Sequence, residues 1–202
     1  MRLGNMESVM DIKKRKMMDY LITIPAAVVL APVMAGIAIW IKLDSPGPVF
    51  FRQKRVGIHK TYFDILKFRT MRTDTPKDMP THLLKNPEQY ITRSGAFLRK
   101  TSLDELPQLF NILKGDMSLV GPRPERPLFV EKFKEEIPRY MVKHQVRPGL
   151  TGWAQVNGYR GDTSIKKRID YDLYYIENWT FFMDIKIIIL TFFTGFINKN
   201  AY

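Results

Sequence analysis

From Leu21 to Ile41 the chain carries no charged side chain. Few features constrain a fold as strongly. About 20 apolar residues is the length of a helix that crosses a bilayer, and a core helix of a soluble domain is seldom uncharged for so long. A cleaved signal peptide fits poorly, because its apolar stretch is only about 7–15 residues and ends at small side chains. This run ends Trp40-Ile41-Lys42. The segment therefore enters membrane, and two observations bear on whether it crosses. Basic residues flank both ends, Lys13-Lys14-Arg15-Lys16 before it and Lys42, Arg52, Lys54 and Arg55 after it. A spanning helix would violate the positive-inside bias on one side. Pro25 and Pro32 also lie within the run. Each removes a backbone donor and collides with the carbonyl four residues earlier, so a kink is expected at Ala31-Pro32. A re-entrant helix that dips in, breaks at Pro32 and returns to the same face satisfies both observations. A tilted, proline-kinked spanning helix is the alternative.

After this run the text becomes that of a soluble domain. The division is residues 1–43, a basic segment and re-entrant membrane helix, and residues 44–202, a domain on the cytosolic face. The two form one functional unit. The fold class is α+β, mainly helical. Ser45-Pro46-Gly47-Pro48 is a turn. Val49 to Phe51 and Tyr62 to Phe68 read as short strands joined by a basic turn, Gln53 to Lys60, in a small β-hairpin. Thr73 to Pro87 is a proline-rich loop or short helical insertion. The apolar spacing from Ile91 to Leu113 is helical with a break near Thr101. Gly121-Pro122-Arg123-Pro124 and Arg147-Pro148-Gly149 read as irregular loops, and Pro127 to Lys143 and Thr163 to Asn178 as amphipathic helices. Trp179 to Phe196 is nearly all apolar, with Asp184 and Lys186 near its start and interface-favouring Trp179, Phe181 and Phe182. An interfacial helix lying in the membrane plane is the reading, with a buried core helix as the alternative.

Lys and Arg total 32 against 20 Asp and Glu, a formal charge of +12. Such a chain seeks polyanions. Nucleic acid is excluded as the partner, because it explains neither the apolar run nor the paired carboxylates described below. Cysteine is absent and histidine occurs three times, at His59, His82 and His144. That removes a disulfide scaffold, a thiolate zinc site and a cysteine nucleophile, and argues against a Ser-His-Asp triad.

Thr101-Ser102-Leu103-Asp104-Glu105-Leu106-Pro107-Gln108 sets two adjacent carboxylates at a helix start. One reading is purely structural: Ser102-x-x-Glu105 is a capping box with Asp104 in the dipole-favoured first turn. The chemical reading assigns the carboxylates separate roles. Adjacent residues on a helix point about 100° apart, so they do not flank one bond as a glycosidase pair does. One attacks while the other manages a proton or a metal, and a carboxylate nucleophile forming an acyl-phosphate is established chemistry. Two arginine-proline loops follow. Pro122 and Pro124 stiffen the backbone around Arg123, and Arg147-Pro148-Gly149 precedes Thr151-Gly152-Trp153-Ala154-Gln155. A guanidinium on a rigid loop suits bidentate phosphate recognition. With Lys67 and Arg69 in Lys67-Phe68-Arg69-Thr70-Met71, these loops point to a polyphosphate pocket. Asp170-Tyr171-Asp172 is an Asp-x-Asp of the kind that metal-dependent glycosyltransferases use, but it falls in an amphipathic helix and reads as a solvated face.

Four blocks in this order, Lys67 to Met71, Thr101 to Gln108, Gly115 to Pro124 and Arg147 to Gly158, resemble the monotopic phosphoglycosyl transferases of the bacterial sugar transferase family. The resemblance covers nearly the whole chain and is to the small members that consist of the catalytic domain alone. It implies transfer of a sugar 1-phosphate from a UDP-sugar to a polyprenol (undecaprenyl) phosphate, giving a polyprenol-diphosphate sugar and UMP. It also implies Mg2+ and a covalent phosphosugar-enzyme intermediate. The family's Asp-Glu dyad falls on Asp104 and Glu105, as nucleophile and as metal ligand or proton acceptor. Lys67, Arg69, Arg123, Arg147 and Gln155 are then the phosphate- and nucleotide-binding candidates. The family's re-entrant helix breaks at a Ser-Pro pair, and Ala31-Pro32 stands there, without the serine hydroxyl. Location follows as the cytoplasmic face of a bacterial plasma membrane, bound monotopically, with a homodimer left open. A non-catalytic membrane scaffold and a glycosyltransferase releasing UDP are the alternatives.

Overall fold

The structure is a computed structural model that describes residues 9–76, 86–161 and 163–197. The middle of the Thr73 to Pro87 segment, with His82, lies outside the described residues. The first helix, α1 (Val9–Asp44), is 36 residues long, about 54 Å at the helical rise. Its backbone stays helical through Pro25 and Pro32, so the break expected at Ala31-Pro32 does not interrupt the element. Burial explains how the prolines are accommodated. Arg15, Met18, Asp19, Thr23, Met34, Ile37 and Ile41 are buried, with Ala27, Leu30 and Asp44 partly so. Those positions recur every three or four residues and form one stripe along the whole helix. Pro25 and Pro32 fall on the opposite, exposed face. That face is apolar too: Leu21, Ile24, Val28, Val29 and Leu43 are all more than half exposed. By length and composition the helix is able to cross a membrane.

Arg15 departs from its role in the basic flank. It is 5% exposed, sealed against the domain rather than offered to lipid headgroups.

Strands β1 (Phe50–Val56) and β2 (Tyr62–Phe68) form the expected hairpin, with Phe50 opposite Phe68 and Val56 opposite Tyr62. The first strand runs past Phe51 into the basic stretch, because alternation leaves Arg52 and Lys54 exposed on one face while Gln53 and Arg55 are partly buried on the other. The turn shrinks to Gly57–Thr61, with His59 and Lys60 at positive φ. Helix α2 (Arg93–Thr101) starts at Thr92, whose hydroxyl accepts from the Gly95 amide, and stops at Ser102 in the left-handed conformation. A single 3-10 turn (Leu103–Glu105) and α3 (Gln108–Lys114) follow, so the break near Thr101 is where the sequence places it.

The third strand was not anticipated. Strand β3 (Ser118–Val120), just before the Gly121–Pro124 loop, pairs in parallel with β4 (Gly149–Thr151), which starts where the Arg147–Gly149 loop ends. Between them α4 (Pro127–Glu136) ends seven residues short of Lys143, because Ile137 precedes Pro138 and the α region is disfavoured there. A short α5 (Trp153–Val156) leads to α6 (Ile165–Glu177), capped by the Ser164 hydroxyl. Helix α7 (Phe181–Ile197) answers to both readings of the C-terminal segment. Asp184 and Ile187 are fully buried, whereas Phe182, Phe192 and Phe193 are exposed. The main core gathers Phe63, Ile65, Leu109, Ile112, Met117, Val120, Tyr175 and Ile187, with Ala27 and Leu30 of α1 against it.

Candidate active site

Ser102 ends α2 by adopting φ 57°, which turns the chain and presents Asp104 and Glu105 from the 3-10 turn. Its side chain makes no cap bond, so the capping-box reading is set aside. At three residues per turn the two carboxylates diverge by about 120°. Both are buried, Asp104 at 4% and Glu105 at 7% exposure. A buried carboxylate is costly unless paired, and the pairing differs between them.

Glu105 is gripped by two cations. Lys67 Nζ, from β2, donates to its Oε1 at 2.7 Å, and Arg123 Nη2 donates to the same oxygen at 2.5 Å. Arg123 Nη1 reaches Oε2 at 3.4 Å. These charges hold Glu105 well below the usual carboxylate range against the opposing effect of burial. It is thus a permanent anion and a poor proton acceptor. Both of its oxygens are engaged by these cations, which leaves it less open to a metal than Asp104.

Asp104 is placed otherwise. Its Oδ2 lies 3.5 Å from Lys67 Nζ, and Oδ1 is buried with no hydrogen-bond partner among the described residues. Burial raises its pKa, with Lys67 the largest opposing influence and Arg123 and Arg99 contributing. An anionic oxygen left bare beside three guanidinium or ammonium groups is suited to attack a phosphorus centre whose oxygens those cations hold. Arg99, on α2, was not singled out from the sequence; its place five residues before Asp104 was the available signal. Gln108 was also missed. It is fully buried with neither amide atom bonded to a described residue, an arrangement that costs about 1–3 kcal/mol until a ligand or water satisfies it.

Arg123 owes its position to backbone contacts. Gly121 N donates to Thr151 O at 2.9 Å and Gly149 N to Pro122 O at 3.0 Å. From β1, Arg55 Nη1 donates to Pro124 O at 3.1 Å, and the Val56 amide to Glu125 O at 3.0 Å. The approach of the two loops demands glycine: a Cβ at Gly149 would lie 2.1 Å from Gly121 N, and one at Gly152 would lie 2.3 Å from Gly121 O.

The other expected ligands are used differently. Arg69 is buried as a clamp, donating through Nε to Pro48 O (2.7 Å), Nη1 to Pro46 O (3.1 Å) and Nη2 to Ser45 O (2.8 Å). It orders the turn after α1 instead of joining Lys67 and Arg123. The guanidinium of Arg147 is brought to neither carboxylate by any hydrogen bond or ion pair, and the residue is half-buried. Gln155 is buried, donates to Leu150 O at 3.3 Å and leaves Oε1 without a partner. The Asp-x-Asp is split: Asp170 is exposed, while Asp172 is buried in an ion pair 3.2 Å from Lys143. It cannot present two carboxylates to one metal.

No cluster of three His, Cys, Asp or Glu side chains able to hold a metal exists among the described residues. The bare Oδ1 of Asp104 still fits Mg2+, which keeps several waters and binds through one or two carboxylates plus substrate phosphates.

Residues 10–198 match the family described as bacterial sugar transferase. An Escherichia coli K12 protein named UDP-glucose:undecaprenyl-phosphate glucose-1-phosphate transferase is 47% identical over 177 residues, 86% of this chain and 38% of that one. An Aeromonas hydrophila protein named UDP-N-acetylgalactosamine-undecaprenyl-phosphate N-acetylgalactosaminephosphotransferase is 46% identical over 89% of this chain and 43% of its own length. A Caulobacter vibrioides protein bearing the glucose-1-phosphate transferase name is 42% identical over 95% of this chain and 73% of its own. The chain thus spans about two-fifths of the length of the first two.

Proposed function

Because the chain belongs to the bacterial sugar transferase family, we propose that it transfers a sugar 1-phosphate from a UDP-sugar to a polyprenol phosphate, releasing UMP. The observation that carries this reading is the unequal pair: Glu105 neutralised by Lys67 and Arg123, Asp104 buried with one free oxygen. In the first step Asp104 attacks the phosphorus bearing the sugar. A new bond forms from its carboxylate oxygen to phosphorus, the bond to the bridging oxygen breaks, and UMP leaves with that electron pair. In the second, an oxygen of the lipid phosphate attacks the same phosphorus and the Asp104 carboxylate is restored. Lys67 and Arg123 stabilise charge on the phosphate oxygens, and Arg99 adds to the field around Asp104. Glu105 fixes the two cations in place and keeps its own proton off. Mg2+, held by Asp104 and the diphosphate, would neutralise phosphate charge.

The same reading sets the protein on the cytoplasmic face of a bacterial plasma membrane, bound monotopically. Its support is that both ends of α1 attach to one domain, Arg15 to Val120 O at 3.1 Å and Asp44 to the Ser94 amide at 2.9 Å. The apolar outer face of α1 and the exposed phenylalanines of α7 are then left to lipid.

Incubation with UDP-hexoses and UDP-N-acetylhexosamines labelled in the sugar, without lipid acceptor, tests the chemistry. Label should be trapped on Asp104, and Asp104→Asn, which cannot form an acyl-phosphate, should reduce UMP release to background. Label on Glu105, or UMP exchange by Asp104→Asn, defeats the assignment. Release of UDP in place of UMP would make the chain a glycosyltransferase.

A further inference from the structure

The N-terminal part of α1 does more than lead into the apolar run. Two of its side chains one turn apart, Arg15 and Asp19, are 5% and 2% exposed, and both close on β3. Asp19 accepts from the Ser118 hydroxyl (2.8 Å to Oδ2) and from the Leu119 amide (2.9 Å to Oδ1). Arg15 Nη2 donates to Val120 O at 3.1 Å and to the Tyr175 hydroxyl at 2.8 Å. Arg15 is held in turn from α6 and α7. Tyr175 donates to Asp184 Oδ1 at 2.6 Å, Trp179 Nε1 donates to Asp184 Oδ2 at 2.9 Å, and Arg15 Nε lies 3.7 Å from that same oxygen. The guanidinium also sits 5.1 Å from the centre of the Trp179 ring.

This arrangement is expensive if its purpose is only adhesion. Apolar residues of the same volume would hold two elements together at least as well as buried ions, whereas ions with directed bonds specify register. Here the register concerns a strand whose next residues are Gly121, Pro122 and Arg123. On its other edge β3 is held by Pro148 O and Thr151 O through the amides of Ser118 and Gly121. The strand that delivers Arg123 to Glu105 is therefore clamped between β4 and the root of the apolar helix.

We infer that Arg15 and Asp19 are positioning residues for Arg123, so that the seating of α1 on the domain sets the catalytic geometry as well as attachment to the bilayer. The inference rests on the proposed phosphoglycosyl transfer for its kinetic consequence, and on the geometry of β3 alone for its structural one. A displacement of about 1 Å at a group that stabilises a transition state lowers turnover up to a hundredfold. Loosening one arm of the clamp should cost less, about tenfold.

The test uses full-length protein in lipid nanodiscs, with Asp19→Asn made in the wild-type and Arg123→Ala backgrounds. If Asp19 acts through Arg123, Asp19→Asn lowers UMP release about tenfold in the wild type and less than about twofold once Arg123 is gone, because the effects of coupled residues do not add. Amide hydrogen exchange should rise about tenfold across residues 118–126 and stay unchanged in α2 and α3. Equal fold-losses in both backgrounds, or undiminished turnover with faster exchange, would overturn the inference. Unchanged exchange at Leu119 would do the same. If Asp19→Asn does not accumulate folded, Ser118→Ala removes only the hydroxyl arm; a loss of about threefold with the same dependence on Arg123 is expected, and no loss counts against the clamp. A wild type that releases no UMP from any UDP-sugar sinks the proposed reaction, while the exchange result still decides whether α1 holds the loop.

Discussion

Arg123 and Arg147 occupy look-alike sequence settings, each an arginine beside proline and close to glycine, and the fold treats them in opposite ways. Arg123 projects from the end of β3 and binds Glu105 at 2.5 Å. At the Arg147 loop it is the backbone that matters: Arg147 O would lie 2.5 Å from a Cβ on Gly121, and Pro148 O accepts from Ser118. One loop delivers a charge, and the other is the surface against which that loop is pressed. The lesson is that a motif's most conspicuous side chain need not be what its local geometry requires.

The largest effect expected from this contrast lies on the supporting loop. Gly149→Ala places a Cβ against backbone on both sides, 2.1 Å from Gly121 N and 2.4 Å from Thr151 O, and backbone cannot rotate away. Separation of β3 from β4 should lower stability by about 3 kcal/mol or more, with UMP release near background. Thermal unfolding beside the activity assay checks both. An active, stable Gly149→Ala protein would refute the account of how Arg123 is placed.

Next in size are the arginines themselves. Arg123→Ala should reduce turnover about a hundredfold, the scale of losing one preorganised charge-stabilising donor. Arg147→Ala should change it within about threefold, the scale of a solvent-screened charge. Comparable losses in the two variants would return Arg147 to the phosphate pocket and erase the distinction.

The smallest effect is on the pH dependence of stability. His144 is 5% exposed and lines a cleft between the loops with Pro122, Arg123, Val146 and Pro148. Burial, with Lys143 beside it, pushes its pKa down to about 4. The unfolded chain therefore binds the proton first, near pH 6.5, and stability falls as pH drops from there toward 4. At pH 5 the loss should reach about 2 kcal/mol. His144→Gln should flatten the denaturation midpoint between pH 7 and 5 by that amount; an unchanged slope would mean that His144 is accessible to protons in the folded state.

Part of the site was legible because its chemistry is local. Asp104 and Glu105 are adjacent, and the stiffness that Pro122 and Pro124 impose on Arg123 is a covalent property of proline. Lys67 could be named but not paired, since it lies 38 residues from Glu105. Arg69 shows the converse: its place beside Lys67 suggested a shared pocket, yet its guanidinium closes on the turn at residues 45–48. Nothing in the hydropathy of Ser118–Val120 announced a strand, because three residues are too few for a period and parallel pairing joins segments some 30 residues apart.

By itself the sequence determined the long apolar helix, the hairpin, the helical break at Thr101 and the carboxylate pair. These follow from charge-free length, alternation and steric preferences that act over a few residues. Only the tertiary structure decided which charges are buried. Read locally, Arg15 belongs with Lys13, Lys14 and Lys16, and Asp184 is an oddity in an apolar run. Folded, they meet at Tyr175 and Trp179 and are sealed from water. The reason is physical: a charge enters a protein interior only with its partners, and those partners are brought by elements about 170 residues apart in the chain.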